Sequence, residues 1–275
     1  TAFKPSDEFS ERIARNQQLL LKEEAHFSEV VDPAAGSYYI ETLTAEIANQ
    51  AWKLFLNVEN EGGFLAAVQN GKVQQTIKAT ANERLKAISN RKEILVGTNQ
   101  YPNLLETAAE KIDKELQQCG CCSHEEGTEK LLPLRGAVEF ENLRLAVEKT
   151  SKRPKVFMLT VGNLAMRSAR AQFSGNFFGC AGYEIIDNLG FSSVEEGVKA
   201  ALDAKAEIVV LCSSDEEYAT LAPEAYKLLK DKTIFVVAGA PACMEDLKKE
   251  GIENFISIKS NVLETLKDFN KKLGL

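Results

Sequence analysis

The second half of the sequence predicts an α/β fold, a doubly wound parallel sheet of five strands that is flavodoxin-like in type. Five apolar runs lie at residues 155–161, 183–187, 207–212, 233–238 and 254–258. Between each run and the next there is enough chain for a helix. Nearly continuous apolar strands that alternate with helices indicate a parallel sheet covered on both faces. Because parallel neighbours need right-handed crossovers, the doubly wound order is the expected topology.

The first hundred residues show the 3.6-residue periodicity of amphipathic helices instead. Ser6 is expected to cap a first helix. Apolar positions between Thr42 and Val58 predict a second helix that Gly62 and Gly63 end, and two further helices follow, one closed by Gly71 and one from Val73 to Ile88. Two short extended pieces are expected, at residues 38–40 and within "EILVGTNQYP", residues 93–102. This part is therefore predicted to be mostly helical.

The segment between these parts has a different character. Residues 103–152 mix a charged helix, a cysteine cluster and a second helix from about Ala137, which indicates a helical linker. The predicted organisation is a helical region at 1–102, the linker at 103–152 and the α/β domain at 153–275.

Composition excludes several classes of protein. The 275 residues are 44% hydrophobic and 27% charged with a formal net charge of -7, as in ordinary globular proteins. A nucleic-acid partner would call for a basic face, and no apolar run is long enough to span a membrane. The N-terminus has no apolar signal core and no initiator methionine, so a fragment or processed piece is expected. The six cysteines lack the spacing of a disulfide scaffold, which predicts a reducing, cytoplasmic compartment.

Ligands of doubly wound sheets bind at the carboxyl ends of the strands, so three loops are the candidate site. They comprise residues 162–170, 213–215 and 239–241. Gly162 stands alone, whereas a dinucleotide fingerprint needs several glycines at tight spacing. Gly239 allows a close backbone approach in the third loop.

The polar residues of these loops allow two readings each. Arg167 and Arg170 could meet an anion, but a solvated helix face is the favoured interpretation. Ser213 and Ser214 could bind a ligand, but capping of a helix that begins with Asp215 is favoured.

The linker contains the weak metal candidates Cys119, Cys121, Cys122 and His124. Thiolates and imidazole are zinc ligands, but structural zinc sites usually draw their ligands from two separated pairs. The spacing here is too tight for four ligands from one segment. A flexible linker with oxidisable thiols is the favoured reading, and no metal is expected.

Three stretches carry a resemblance to a known family. They are Asp-Pro-Ala-Ala-Gly-Ser-Tyr-Tyr at 32–39, "NRKEILVGTNQYPN" at 90–103, and the α/β domain from residue 155. The sequence resembles the methylmalonyl-CoA mutases, in which the first two stretches would close the catalytic (β/α)8 barrel and the third would be the cobalamin-binding domain. "FSERIARNQQLLLKEEAHF" at 9–27 is similar to the smaller (beta) subunit of the family's two-subunit bacterial members.

The resemblance implies a cobalamin-binding-like domain that has lost its cobalt ligand. Cobalamin-binding members carry Asp-x-His-x-x-Gly in the first loop, where the histidine ligates cobalt. Alignment from Gly162 places Leu164 and Met166 at the aspartate and histidine positions, and alignment from Gly182 places Ala165 and Arg167 there. The family's later loops are also altered, around Ser213 and at Gly239, where a glycine pair is reduced to Gly-Ala. The two histidines, His26 and His124, both precede the sheet.

These expectations lead to a functional prediction, a structural and non-catalytic part of a small subunit. No catalytic residue and no cofactor are expected on this chain. Its partner would be the large (alpha) subunit in a heterodimer, an isomerase that binds adenosylcobalamin and interconverts methylmalonyl-CoA and succinyl-CoA. Such a role predicts exposed apolar patches on the helices of residues 1–150. Phe177 and Phe178 are expected to fill space that a nucleotide tail occupies in cobalamin-binding members.

Two alternatives stay open. One is a flavodoxin-like module that binds a small ligand through the loops at 162–170, 213–215 and 239–241, for which convergent polar groups are needed. The other is an active mutase, which the missing cobalt ligand and the missing barrel disfavour.

Overall fold

A computed structural model describes residues 4–109, 111–112, 131, 134–150, 152–230 and 232–275. The chain divides into two compact units. The first takes residues 1–81 and 120–134, and the second takes residues 82–119 and 135–275. Among the described residues, no helix combines the length and the apolar character needed to cross a membrane.

The first unit is helical, as predicted. Its helices are α1 (Glu8–Glu23), α2 (Tyr38–Asn60), α3 (Phe64–Gln69) and α4 (Lys72–Ser89), of which α4 continues into the second unit. Asp7, and not the predicted Ser6, caps α1: its carboxylate accepts a hydrogen bond from the Ser10 amide at 2.7 Å, and the Ser10 hydroxyl accepts one from the Asp7 amide at 2.9 Å. This reciprocal pair is a capping box.

The prediction of two extended pieces in the first hundred residues is wrong. Residues 38–40 form the first turn of α2, where cooperative helix formation over 23 residues outweighs the strand preference of three. Residues 93–102 form turns with one isolated bridge between Val96 and Gln100. The Asn99 side chain organises them: it accepts a hydrogen bond from the Leu95 amide and donates to the Ile88 and Glu93 carbonyls.

The second unit contains the predicted α/β domain. Its strands are β1 (Lys155–Thr160), β2 (Glu184–Ile186), β3 (Ile208–Cys212), β4 (Ile234–Ala238) and β5 (Asn254–Ile256). All are parallel, in the order β2-β1-β3-β4-β5, which confirms the doubly wound, flavodoxin-like prediction. Its helices are α5 (Val138–Glu148), α6 (Leu164–Gly179), α7 (Val194–Asp203), α8 (Tyr218–Leu229), α9 (Met244–Lys249) and α10 (Val262–Leu273).

Alternate side chains of the strands feed two separate apolar layers, as the two-residue period of a strand requires. Met158 and Val210 face the layer formed with α5, α6 and α10. Leu159 and Leu211 face the opposite layer, formed with α7, α8 and α9. Both layers exclude water, so a site can open at the edge of the sheet where the strands end.

Two helical glycines test how tightly these layers pack. A Cβ added at Gly197 in α7 would lie 2.2 Å from Leu159 Cδ1, whereas one added at Gly175 in α6 would make an ordinary 3.5 Å contact with Ile185. We expect Gly197→Ala to lower the free energy of unfolding by about 1–2 kcal/mol, because a packed interior does not absorb extra atoms freely. Gly175→Ala should be neutral, or stabilising by up to about 1 kcal/mol.

Urea unfolding of both variants beside the unchanged chain measures the difference. Equal effects of the two substitutions would show that α7 does not lie against β1 as closely as described.

Candidate functional site

The three candidate loops meet at the carboxyl edge of the sheet, as the sequence predicts. They follow β1 at residues 161–163, β3 at 213–217 and β4 at 239–243. The strand order reverses between β1 and β3, and the register pairs Thr160 with Cys212 at the ends of these two strands. This switch point is the ligand position of flavodoxin-like sheets.

The carboxylate of Glu217 occupies the switch point. Its Oε2 atom accepts hydrogen bonds from the Ser213 hydroxyl at 2.5 Å and the Ser214 hydroxyl at 2.7 Å. It also accepts from the backbone amides of Ser214 and Asn163, each at 3.2 Å. The carboxylate therefore links the loop after β3 to the loop after β1.

The expected capping role of Ser213 and Ser214 is wrong. Helix α8 begins at Tyr218, with Glu217 as its N-cap residue, and no side chain makes a capping hydrogen bond there. The two hydroxyls donate to Glu217 instead. These bonds, above all the one from Ser213, lower the pKa of Glu217 to about 2, because they stabilise the ionised form.

Tyr218 joins the same edge to the loop after β4. Its buried hydroxyl donates to the Ala238 carbonyl at 2.6 Å and accepts from the Ser213 amide at 3.1 Å. Burial raises the pKa of this tyrosine well above its ordinary range, so the hydroxyl stays protonated and keeps its donor role.

Both arginines of the first loop are engaged within the protein. Arg170 forms an ion pair with Asp215, with 2.9 Å between nitrogen and oxygen. Arg167 donates to the carbonyls of Gly162 and Leu189, at 3.2 and 3.0 Å. Both side chains stay partly exposed, so the predicted solvated helix face also makes bonds within the protein. Gly239 lies against the Arg170–Asp215 pair, since a Cβ added there would be 3.1 Å from Asp215 Oδ1.

The positions expected to have lost the cobalt ligand begin α6. Asn163 caps the helix by accepting a hydrogen bond from the Met166 amide at 3.1 Å. Leu164 and Met166 lie on its first turn with 66% and 38% of their surfaces exposed. Neither carries an imidazole, and His26 belongs to the first unit.

At the described edge the three loops bond to one another through Glu217, Tyr218 and the Arg170–Asp215 pair. Behind the edge, Phe177 and Phe178 are fully buried in the layer under α6.

The cysteine cluster lies outside the described residues, so Cys119, Cys121, Cys122 and His124 stay predictions. In the part of the chain that the structure does describe, no group of three or more histidine, cysteine, aspartate or glutamate side chains is arranged to hold a metal ion. Its cysteines Cys180, Cys212 and Cys243 are free thiols.

Glu217 and Tyr218 are the site residues that the sequence reasoning missed. A local signal for Glu217 exists, because Ser214 and Glu217 stand three residues apart directly after an apolar strand. The same spacing is typical of a capping box, so by itself it does not indicate a bound carboxylate. The donor from Asn163 comes from 54 residues away in the chain, and local spacing does not reveal it.

The strand order and its closed carboxyl edge define a flavodoxin-like α/β domain with helices on both faces. Comparison with known families identifies the family of the chain. The family model described as Methylmalonyl-CoA mutase matches residues 1–170, more than half of the chain. The chain belongs to the methylmalonyl-CoA mutase family.

Individual relatives confirm the resemblance to small subunits. The methylmalonyl-CoA mutase small subunit of Porphyromonas gingivalis is 60% identical over 275 residues, which covers 99% of this chain and 44% of the relative. The small subunit of Streptomyces virginiae is 36% identical over 82% of this chain and 36% of the relative. That of Propionibacterium freudenreichii subsp. shermanii is 34% identical over 82% of this chain and 34% of the relative. The chain thus spans less than half the length of these relatives.

Proposed function

We propose that this chain is a structural, non-catalytic part of a methylmalonyl-CoA mutase small subunit. Its partner is the large (alpha) subunit, with which it forms a heterodimer. The large subunit holds adenosylcobalamin and interconverts methylmalonyl-CoA and succinyl-CoA. The small-subunit names of the relatives support a partner of this kind.

The observation that carries the proposal is the exposed apolar surface of the first unit. Neither α1 nor α2 contains a buried residue. Tyr38 is 92% exposed, Trp52 and Phe55 stack on each other at 5.1 Å, and both also stay exposed. The predicted apolar patches are therefore present on these helices. Large apolar patches mark interaction sites, and helices without tertiary burial gain little stability from their own hydrogen bonds.

The carboxyl edge of the sheet supports the non-catalytic part of the proposal. A ligand-binding module needs polar groups that are free to converge on a ligand. At 162–170, 213–215 and 239–241 the polar side chains that could do so are engaged within the protein, by Glu217, by Asp215 or by backbone groups. This closure favours a structural role over the alternative of a small-ligand module.

The proposal places the protein in the cytoplasm. The free thiols of Cys180, Cys212 and Cys243 support a reducing compartment, where structural disulfides are rare.

One substitution on α2 tests the partner. Phe55 is half exposed, so Phe55→Glu should leave the helix folded but place a charge in an apolar interface. We expect affinity for a cobalamin-loaded large subunit to fall roughly tenfold or more, as for an aromatic anchor of an interface. Asn49→Glu adds the same charge to the same helix at an exposed polar position and is the control. Co-elution on a sizing column, with circular dichroism to check folding, measures both.

Corrin absorbance in the same experiment tests the cofactor assignment. The absorbance should co-elute with the large subunit and should be absent when this chain is run by itself. Micromolar binding of adenosylcobalamin by the isolated chain, or equal association of the Phe55→Glu and Asn49→Glu variants, would contradict the proposal.

A further inference from the structure

One oxygen atom at the switch point receives four hydrogen-bond donors. Ser213 Oγ, Ser214 Oγ and the amides of Ser214 and Asn163 all converge on Oε2 of Glu217. Three of these groups come from the loop after β3 and one from the loop after β1. Two hydroxyls and two amides directed at one point form a cradle for negative charge, since backbone amides in concave loops bind anions.

The backbone beside this oxygen is shaped around it. Gly162 has φ +81, and a Cβ added there would lie 2.4 Å from Glu217 Oε2 and 2.6 Å from its carboxyl carbon. A side chain at residue 162 would both strain the backbone and enter the space of the carboxylate. The backbone and side chains of Gly162, Asn163, Ser213 and Ser214 therefore lie around the carboxylate group and leave it partly exposed.

We propose that the β1/β3 edge is an oxyanion site of the small-carboxylate class, which the chain fills with its own Glu217. Two of the four groups directed at the bound oxygen are backbone amides, which favour an anion over a cation. Gly162 stands without the further glycines of a dinucleotide fingerprint, which argues against a dinucleotide in the same place.

The attachment of Glu217 to the same chain explains why free anions do not occupy the site. A carboxylate attached to the same chain competes at an effective concentration of about millimolar or more, so a weak free anion does not displace it. The Arg170–Asp215 ion pair and Gly239 lie beside the cradle and bring in the loop after β4. The internal ligand thus holds the edge of the sheet shut. The same closure supports the non-catalytic role proposed above, but the acetate experiments below do not involve the partner subunit, so this inference can fail while the proposed partner stands.

Removal of the internal ligand should open the site. We expect Glu217→Ala to have a lower thermal midpoint than the unchanged chain and to regain stability with acetate, with half-saturation at roughly 10–100 mM as suits a four-atom ligand. Chloride at equal ionic strength should not substitute. Acetate should move the amide resonances of Asn163 and Ser214 in this variant and leave them in place in the unchanged chain. Phosphate in a third arm should stabilise this variant less than acetate does, and a stronger response to phosphate would overturn the carboxylate class.

Glu216→Ala is the matched control, because this exposed neighbour differs from Glu217 in position alone. Acetate should have no saturable effect on it. The same acetate response in Glu217→Ala, Glu216→Ala and the unchanged chain would overturn the proposal.

A second variant covers the case in which Glu217→Ala does not fold. Ser213→Ala combined with Ser214→Ala keeps the carboxylate but removes two of its donors. A carbon-detected titration should then show the pKa of Glu217 shifted upward toward its ordinary value of 4.5. An unchanged pKa of Glu217 in this variant would overturn the proposal as well.

Discussion

Phe178→Ala is expected to lower the free energy of unfolding of the second unit by about 3–5 kcal/mol, the usual range for a buried phenylalanine. Phe178 is fully buried and lies at the centre of an aromatic cluster that connects α6 to α10. Its ring meets Phe177 and Phe269 edge-on, with centroids 5.5 and 5.2 Å apart, and stacks on Tyr183 at 6.1 Å. The substitution removes all three contacts and leaves a cavity.

The measurement has to report on the second unit. Trp52 belongs to the first unit, so tryptophan fluorescence is the wrong probe. Amide hydrogen exchange of β3 and β4 in increasing denaturant gives the stability of the sheet itself.

Phe173→Ala is the control for Phe178→Ala. Phe173 lies on the same helix and contacts Phe177 at 6.0 Å, but it is only partly buried. Its loss should therefore cost less, about 1–2 kcal/mol. Equal effects of the two substitutions would show that Phe178 is not the centre of the cluster. The expectation that Phe177 and Phe178 replace a nucleotide tail stays a prediction, and the complete burial of both rings is compatible with it.

The sheet could be predicted because its signal is local. In the predicted run 207–212, every position from residue 208 onward is apolar, and the structure has β3 at Ile208–Cys212. The apolar pattern of 93–102 gave the same kind of signal but no strand. A strand needs a neighbour with free backbone groups, and Asn99 bonds to the backbone of this segment instead.

The sequence predicts which loops form the site but not which side chains occupy it. Strand alternation indicates which loops share the carboxyl edge, and they do. What the loops contain depends on contacts distant in sequence, such as the Asn163 amide and Glu217. A capping box and a bound carboxylate have the same local spacing, so only the approach of Gly162 and Asn163 distinguishes them.

The same carboxylate should make the stability of the chain depend on acid pH. Hydrogen bonds hold the pKa of Glu217 at about 2 in the folded chain, against an ordinary value of 4.5. Because the folded pKa is the lower one, the stabilisation is fully present above pH 4.5 and is lost as the pH falls toward 2. The partly exposed carboxylate is screened by solvent, so we expect a loss of about 2 kcal/mol and not the full value of the shift.

The comparison of the unchanged chain with Glu217→Gln isolates this contribution, because other carboxylates with lowered pKa values, such as Glu93 and Glu106, titrate equally in both. The glutamine keeps the shape of the side chain but carries no charge, so it should be less stable at pH 7 by about 2 kcal/mol. In urea unfolding at pH 7, 5, 4 and 3, the difference between the two proteins should shrink steadily below pH 5. A difference that stays constant down to pH 3 would mean that the serine hydroxyls do not stabilise the charge of Glu217. In that case neither its low pKa nor its role as an internal ligand would hold.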